Sequence, residues 1–96
     1  MEIASFQQTL RETYLERDSR RGADATFRWF TEEVGELARA FRDGERDQLL
    51  HEFGDVVAWL TSLANLAGIS LQDAAARYAN GCPKCGQTPC SCEFVR

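Results

Sequence analysis

Apolar residues recur at helical spacing in four stretches of the chain, and in none of them do they alternate as in a strand. Ile3, Phe6, Leu10 and Tyr14 form one stripe, predicting a helix from about Ile3 to Arg17. The polar segment Asp18 to Gly22 ends in glycine and predicts a stop. A second helix is expected from Asp24, as N-cap, to about Arg42. Phe27, Phe30, Val34, Leu37, Ala38 and Phe41 share its apolar face, and Gly44 is placed for a C-terminal cap. The third helix, about Arg46 to Leu66, is apolar around more than half its circumference, from Leu49 and Leu50 through Phe53, Val56, Val57, Trp59, Leu60 and Leu63. The fourth starts at Ser70, whose spacing to Asp73 fits a capping box, and closes at Asn80 and Gly81. The expected fold is all-α: four helices joined by short connections that favour antiparallel neighbours.

A chain of 96 residues is one domain with a modest core. Three other helices of this size do not cover the third, so the bundle is expected to be completed by oligomerisation, at least as a homodimer sharing a four-helix core. Residues 1–80 then form the helical domain and residues 81–96 a cysteine-rich tail.

Charge narrows the chemistry. Eleven Lys and Arg against fifteen Asp and Glu give a net charge of −4. Five of the acids stand in two clusters, Glu32, Glu33 and Glu36, then Glu52 and Asp55, and the rest of the chain is near neutral. No basic excess is available to neutralise a phosphate backbone, so nucleic acid is not expected as a partner. Concentrated carboxylate suits a divalent cation instead. No apolar run reaches membrane-spanning length, and the amphipathic N-terminus lacks the apolar core of a secretory signal. A cytoplasmic setting with no membrane partner is therefore expected. There, metal or redox chemistry takes precedence over structural disulfides for the cysteines.

Glu33 and Glu36 are three residues apart on the second helix and project from one side, while Glu52 and Asp55 repeat the spacing on the third. Glu52 shares a stripe with Val56, Trp59 and Leu63, where an ionised carboxylate must be paired or ligated. Packed antiparallel, the two pairs converge into an oxygen site for magnesium or manganese. The ordinary alternative is a solvated acidic face on one helix and salt bridges to arginines on the other. His51, beside Glu52, is either a base or incidental. Trp59 sits at core spacing, whereas Trp29 lies on the acidic side and is the better candidate to stack on a base.

The tail reads GCPKCGQTPCSCEFVR. Cys82, Cys85, Cys90 and Cys92 put four thiolates in a short span, which matches a closed tetrahedral structural zinc site, with a CxC second pair tighter than an ordinary ribbon. Redox or disulfide chemistry and an iron–sulfur cluster are the alternatives. A tail this short has no core of its own, and a metal would order it.

The segments EEVGEL (Glu32 to Leu37) and EFGDVVAWL (Glu52 to Leu60) resemble the EExxE and ExxD motifs of MazG-like nucleoside triphosphate pyrophosphohydrolases, and the likeness extends from about Phe6 to Asn80. The resemblance implies magnesium-dependent hydrolysis of a nucleoside triphosphate to monophosphate and pyrophosphate. It implies Glu33, Glu36, Glu52 and Asp55 as magnesium ligands, with Glu33 also counted as catalytic. Glu32 would hold a further metal or orient the attacking water. A homotetramer is also implied as a possible assembly, and nucleotide-pool housekeeping as the role. The family often has a lysine three residues before the first acid; here that position is Trp29, with Arg28 beside it as a substitute charge. Arg77 and Asn80 resemble family positions that hold phosphate or sugar, although Arg77 also suits a helix C-terminus as a plain surface charge. The competing function is a non-enzymatic helical oligomerisation module that presents a zinc knuckle to a protein or nucleic acid.

Overall fold

The described residues form three long helices and one short one: α1 Ile3–Arg21, α2 Ala23–Asp43, α3 Arg46–Ala67 and α4 Leu71–Ala75, the last continued by a 3-10 turn at Ala76–Tyr78. This computed structural model describes residues 1–93; the tail's final residues, 94–96, lie outside the described residues. Among the described residues there is no strand.

The first helix runs a full turn beyond the expected Arg17, and the reason is tertiary. Asp18 is buried and accepts a hydrogen bond from the Arg21 guanidinium, whose Nε also donates to Thr26 Oγ1 at 3.0 Å. Gly22 alone makes the corner. Its φ of 90° is open to glycine and strained for other residues. Its N–H donates to Asp18 O at 2.8 Å, and its carbonyl accepts from Thr26 N and Thr26 Oγ1. The second helix therefore begins at Ala23 with Gly22 as its cap, and Asp24, the expected cap, lies in the first turn.

Gly44 ends α2 as expected, its N–H on Ala40 O at 2.8 Å, and a Cβ there would lie 2.7 Å from that oxygen. Glu45 then opens α3 through a reciprocal capping box with Gln48. With only Gly44 and Glu45 between them, α2 and α3 fold back on each other. Trp29 and Trp59, whose rings stack, stand about equally far along the chain from this turn, the signature of an antiparallel hairpin. Helix α3 is central and packs against both α1 and α2. The fourth helix is capped by Ser70 as expected, its Oγ accepting from Asp73 N at 3.1 Å. It tightens into 3-10 geometry after Ala75 instead of running as one α-helix to Asn80.

A polar clamp ties α1 to the α3–α4 corner. Gln7 Nε2 donates to Asn65 Oδ1 and to Ile69 O, and Gln7 Oε1 accepts from Leu71 N at 2.8 Å. Asn65 is buried and returns a bond to Gln7 O. Asn65→Ala should remove two of these bonds, leave the Gln7 carbonyl without its Asn65 donor and cost about 1–3 kcal/mol, visible as a lower melting temperature by circular dichroism.

The apolar core of one chain is small. Among the described residues the buried apolar ones are Ala40 and Ala64, whereas Phe27, Phe41, Leu50, Phe53, Val57 and Leu60 are all exposed. A single chain thus provides three helices and a short fourth, not a complete four-helix bundle.

Candidate functional site

The antiparallel hairpin sets Glu36 of α2 opposite Glu52 of α3. Oxygens of Glu33, Glu36 and Glu52 come within 4.8 Å of one another. Asp55, one turn along α3, joins His51 and Glu52 in a second group of the same compactness, with His51 Nε2 at 3.2 Å from Asp55 Oδ2. The two groups share Glu52; Asp55 stands outside the compact Glu33–Glu36–Glu52 group, although its charge reaches Glu33.

Electrostatics there are unfavourable without a cation. Burial raises Glu33 to about 7, helped by its hydrogen bond with Glu36 and by the charges of Glu36, Asp55 and Glu52. Glu33 Oε2 and Glu52 Oε1 are buried with no hydrogen-bond partner. The ordinary alternative, salt bridges to arginines, is not what these acids make: among the described residues the arginines pair with Asp18, Asp24 and Asp43. Two orphaned buried carboxylate oxygens in the Glu33–Glu36–Glu52 group, whose donors are all oxygen, fit a hard divalent cation such as magnesium or manganese.

The other expected residues are placed less uniformly. Glu32 is exposed and stands outside the clustered oxygens. Arg28 is exposed and held by Asp24 at 2.6 Å. Trp29 is about half exposed and stacks on Trp59, with ring centroids 6.3 Å apart and planes at 24°. Trp59 is not a core residue: it is half-buried and lines a cavity of about 280 Å³ together with Asp55. Arg77 lies over the ring of its neighbour Tyr78, and Asn80 is exposed; neither lines the cavities bordered by Asp55 or by Glu36 and Glu52.

Sequence reasoning missed the far wall of the Asp55 cavity, which α1 supplies through Tyr14, Arg17, Asp18 and Arg21. The available signal was the Asp18–Arg21 spacing of three, which is helical, but the segment's polarity read as a helix stop.

The tail forms a second centre. The Sγ atoms of Cys82, Cys85, Cys90 and Cys92 lie within 4.8 Å of one another, with Cys82–Cys92 at 3.7 Å and Cys85–Cys90 at 3.9 Å. Four thiolates held at about 2.3 Å from a tetrahedral zinc would have edges close to these distances. Ser91 N and Cys92 N donate to Cys85 and Cys90 sulfur, each at 3.3 Å. Backbone N–H donation from Ser91 is the main cause that lowers Cys85 to about 5, towards the thiolate that binds metal. The cluster fits a soft four-coordinate metal.

A family model described as MazG nucleotide pyrophosphohydrolase domain matches residues 21–84, about two thirds of the chain. The match spans both carboxylate pairs and Cys82, stops before Cys85, and leaves α1 up to residue 20 outside. No curated protein matches the chain.

Proposed function

The chain belongs to the MazG nucleotide pyrophosphohydrolase domain family, and from that membership we propose that it hydrolyses nucleoside triphosphates between the α- and β-phosphorus atoms, releasing monophosphate and pyrophosphate. The observation that carries this reading is the pair of buried, unpartnered oxygens on Glu33 and Glu52 inside the converging carboxylates. Glu33, Glu36, Glu52 and Asp55 would hold the metal. Bound magnesium or manganese would neutralise phosphate charge and acidify a water ligand. Glu33, raised to about 7, holds a proton near neutrality that a cation would displace. Glu32, exposed beside it, has room to orient the attacking water or a further ion. Arg28, Arg77 and Asn80 are proposed as phosphate or sugar contacts on the resemblance alone. Housekeeping of a cytoplasmic nucleotide pool is the corresponding role.

Incubation with mixed ribo- and deoxyribonucleoside triphosphates and magnesium should release pyrophosphate. A folded protein that releases none would transfer support to the oligomerisation module with a zinc knuckle.

The exposed Phe27, Phe41, Phe53 and Leu60 support a homodimer or homotetramer as the working assembly. Light scattering at micromolar concentration should give at least twice the chain mass. Phe53→Glu should shift it to the single-chain mass, because the new charge would have to be desolvated in the interface. A stable monomer in the unmutated protein would count against this assembly.

The cysteine centre is proposed to hold one structural zinc, leaving no open position for chemistry. It would order the tail and take no part in hydrolysis.

A further inference from the structure

The cavity beside Asp55 contains a carboxylate that the metal reading does not use. Asp18 is 2% exposed and lines this space of about 280 Å³. Its Oδ1 accepts from Arg21, while its Oδ2 is buried with no partner. A buried acceptor left without a donor costs about 1–3 kcal/mol. No side chain or backbone group supplies the donor, and the cavity is where one would enter.

The walls indicate what kind of donor. The Arg21 guanidinium, fixed by Asp18, lies 4.8 Å from the centre of the Trp59 ring. Trp59 in turn stacks on Trp29. Planar guanidinium and indole groups offer flat contact to a heteroaromatic ring, and an adjacent carboxylate oxygen accepts an N–H from such a ring's edge. An ionised phosphate carries no N–H for Asp18 Oδ2, and a metal ion would be opposed by Arg17 and Arg21, which line the same cavity. Asp55 borders both this cavity and the carboxylate cluster, so a base held here would leave its phosphates near the metal ligands. Asp18 and Arg17 precede residue 21, where the family match begins, so the match assigns them no role.

We propose that the α1–α3 cavity is the nucleobase subsite, with Asp18 Oδ2 accepting an N–H from the base edge and Arg21 forming a wall that Asp18 holds in place. This rests on the pyrophosphohydrolase reading, and it makes α1 the element that selects the base. Any common base offers an edge N–H, and the replacement of that hydrogen by a methyl group removes the donor and adds bulk. Asp18→Asn keeps the shape but weakens the acceptor and loses the charge that pins Arg21.

Trp29 and Trp59 are the two tryptophans of the chain, so intrinsic fluorescence reports on this wall. The full chain, with no added magnesium, is titrated with cytidine, uridine, adenosine and guanosine, and with ribose 5-phosphate as control. At least one nucleoside should change the fluorescence saturably, and the control should not. Methylation of the edge nitrogen should weaken that nucleoside about tenfold or more in the unmutated protein, as loss of a hydrogen bond to a charged group implies. Asp18→Asn should weaken the parent nucleoside by a similar factor, and Asp18→Ala should abolish the difference between parent and methylated forms. The proposal is overturned if no nucleoside binds, if ribose 5-phosphate alone reproduces the signal, or if methylation is without effect in the unmutated protein. That last comparison needs no variant to fold. Nucleoside binding without pyrophosphate release from triphosphates would remove the reaction but keep the subsite. Pyrophosphate release with an unchanged KM in Asp18→Asn would do the reverse.

Discussion

Glu36→Gln and Asp55→Asn should each lower turnover by about 100-fold or more, the usual scale for deleting one group of a preorganised electrostatic site. The far-ultraviolet helix signal should stay unchanged. Each amide keeps the volume of its acid and removes the charge that draws a cation. Without metal, these variants should be more stable than the parent, not less. Glu33 is raised by burial first, then by Glu36, Asp55 and Glu52, and removal of a neighbouring negative charge relieves it.

The sign of the pH dependence follows from the same group. Glu33 titrates near 4.5 when unfolded and near 7 in the metal-free fold. Between those values the folded chain holds the extra proton, so its contribution to stability is fully present below the unfolded value and is lost as pH rises through the folded one. Metal-free protein should therefore melt progressively lower as pH rises from about 4.5 to 7 through this group, and the slope should flatten in Glu33→Gln. Magnesium needs the ionised form and should bind more tightly over the same rise. Thermal melts across pH, with and without magnesium, separate these effects. Near-normal turnover of either amide variant at millimolar magnesium would remove the carboxylates from the mechanism.

Sequence periodicity located the helices because their boundaries coincide with local signals such as Gly44 and Ser70. It failed where the deciding contact is remote in the chain or hidden in a polar segment. Residues 18–21 look like a loop by composition, yet they form the last turn of α1 because Asp18, Arg21, Thr26 and the Gly22 carbonyl satisfy one another across the corner. The converging carboxylates were legible for the opposite reason. Two i,i+3 acid pairs on adjacent helices need only a short antiparallel turn to meet, and Gly44 with Glu45 provides it. Trp59 was misread because spacing identifies a helix face but not whether a neighbour fills the space before it. The α1 wall leaves an open cavity at that point. The same limit applies to Phe27 and Phe41: they lie on the expected apolar face of α2, yet both stay more than half exposed, and Phe41 meets only the edge of Phe53 across the hairpin.

Thiol modification should uncouple the tail from catalysis. A mercurial reagent is expected to release about one zinc per chain, the stoichiometry of a closed four-thiolate site. Carboxylate oxygens favour hard magnesium and thiolates favour softer zinc, so the two centres should respond to different reagents. Brief chelation should stop hydrolysis and be reversed by added magnesium alone. Zinc loss should instead accelerate amide exchange from residue 81 to residue 93 first, because Cys82, Cys85, Cys90 and Cys92 supply the tail's long-range ties and its side chains are only partly buried. Structural zinc binding contributes on the order of 10 kcal/mol or more to folding, far beyond what so short a segment gains from packing. Order in the tail should therefore disappear, not merely weaken, while α1 to α3 keep their exchange protection and hydrolysis persists. Cys85→Ser should reproduce this result without any reagent and lower the zinc count measured by native mass spectrometry. A protein isolated without zinc, lighter by the hydrogens of paired cysteines, would replace the metal with disulfides.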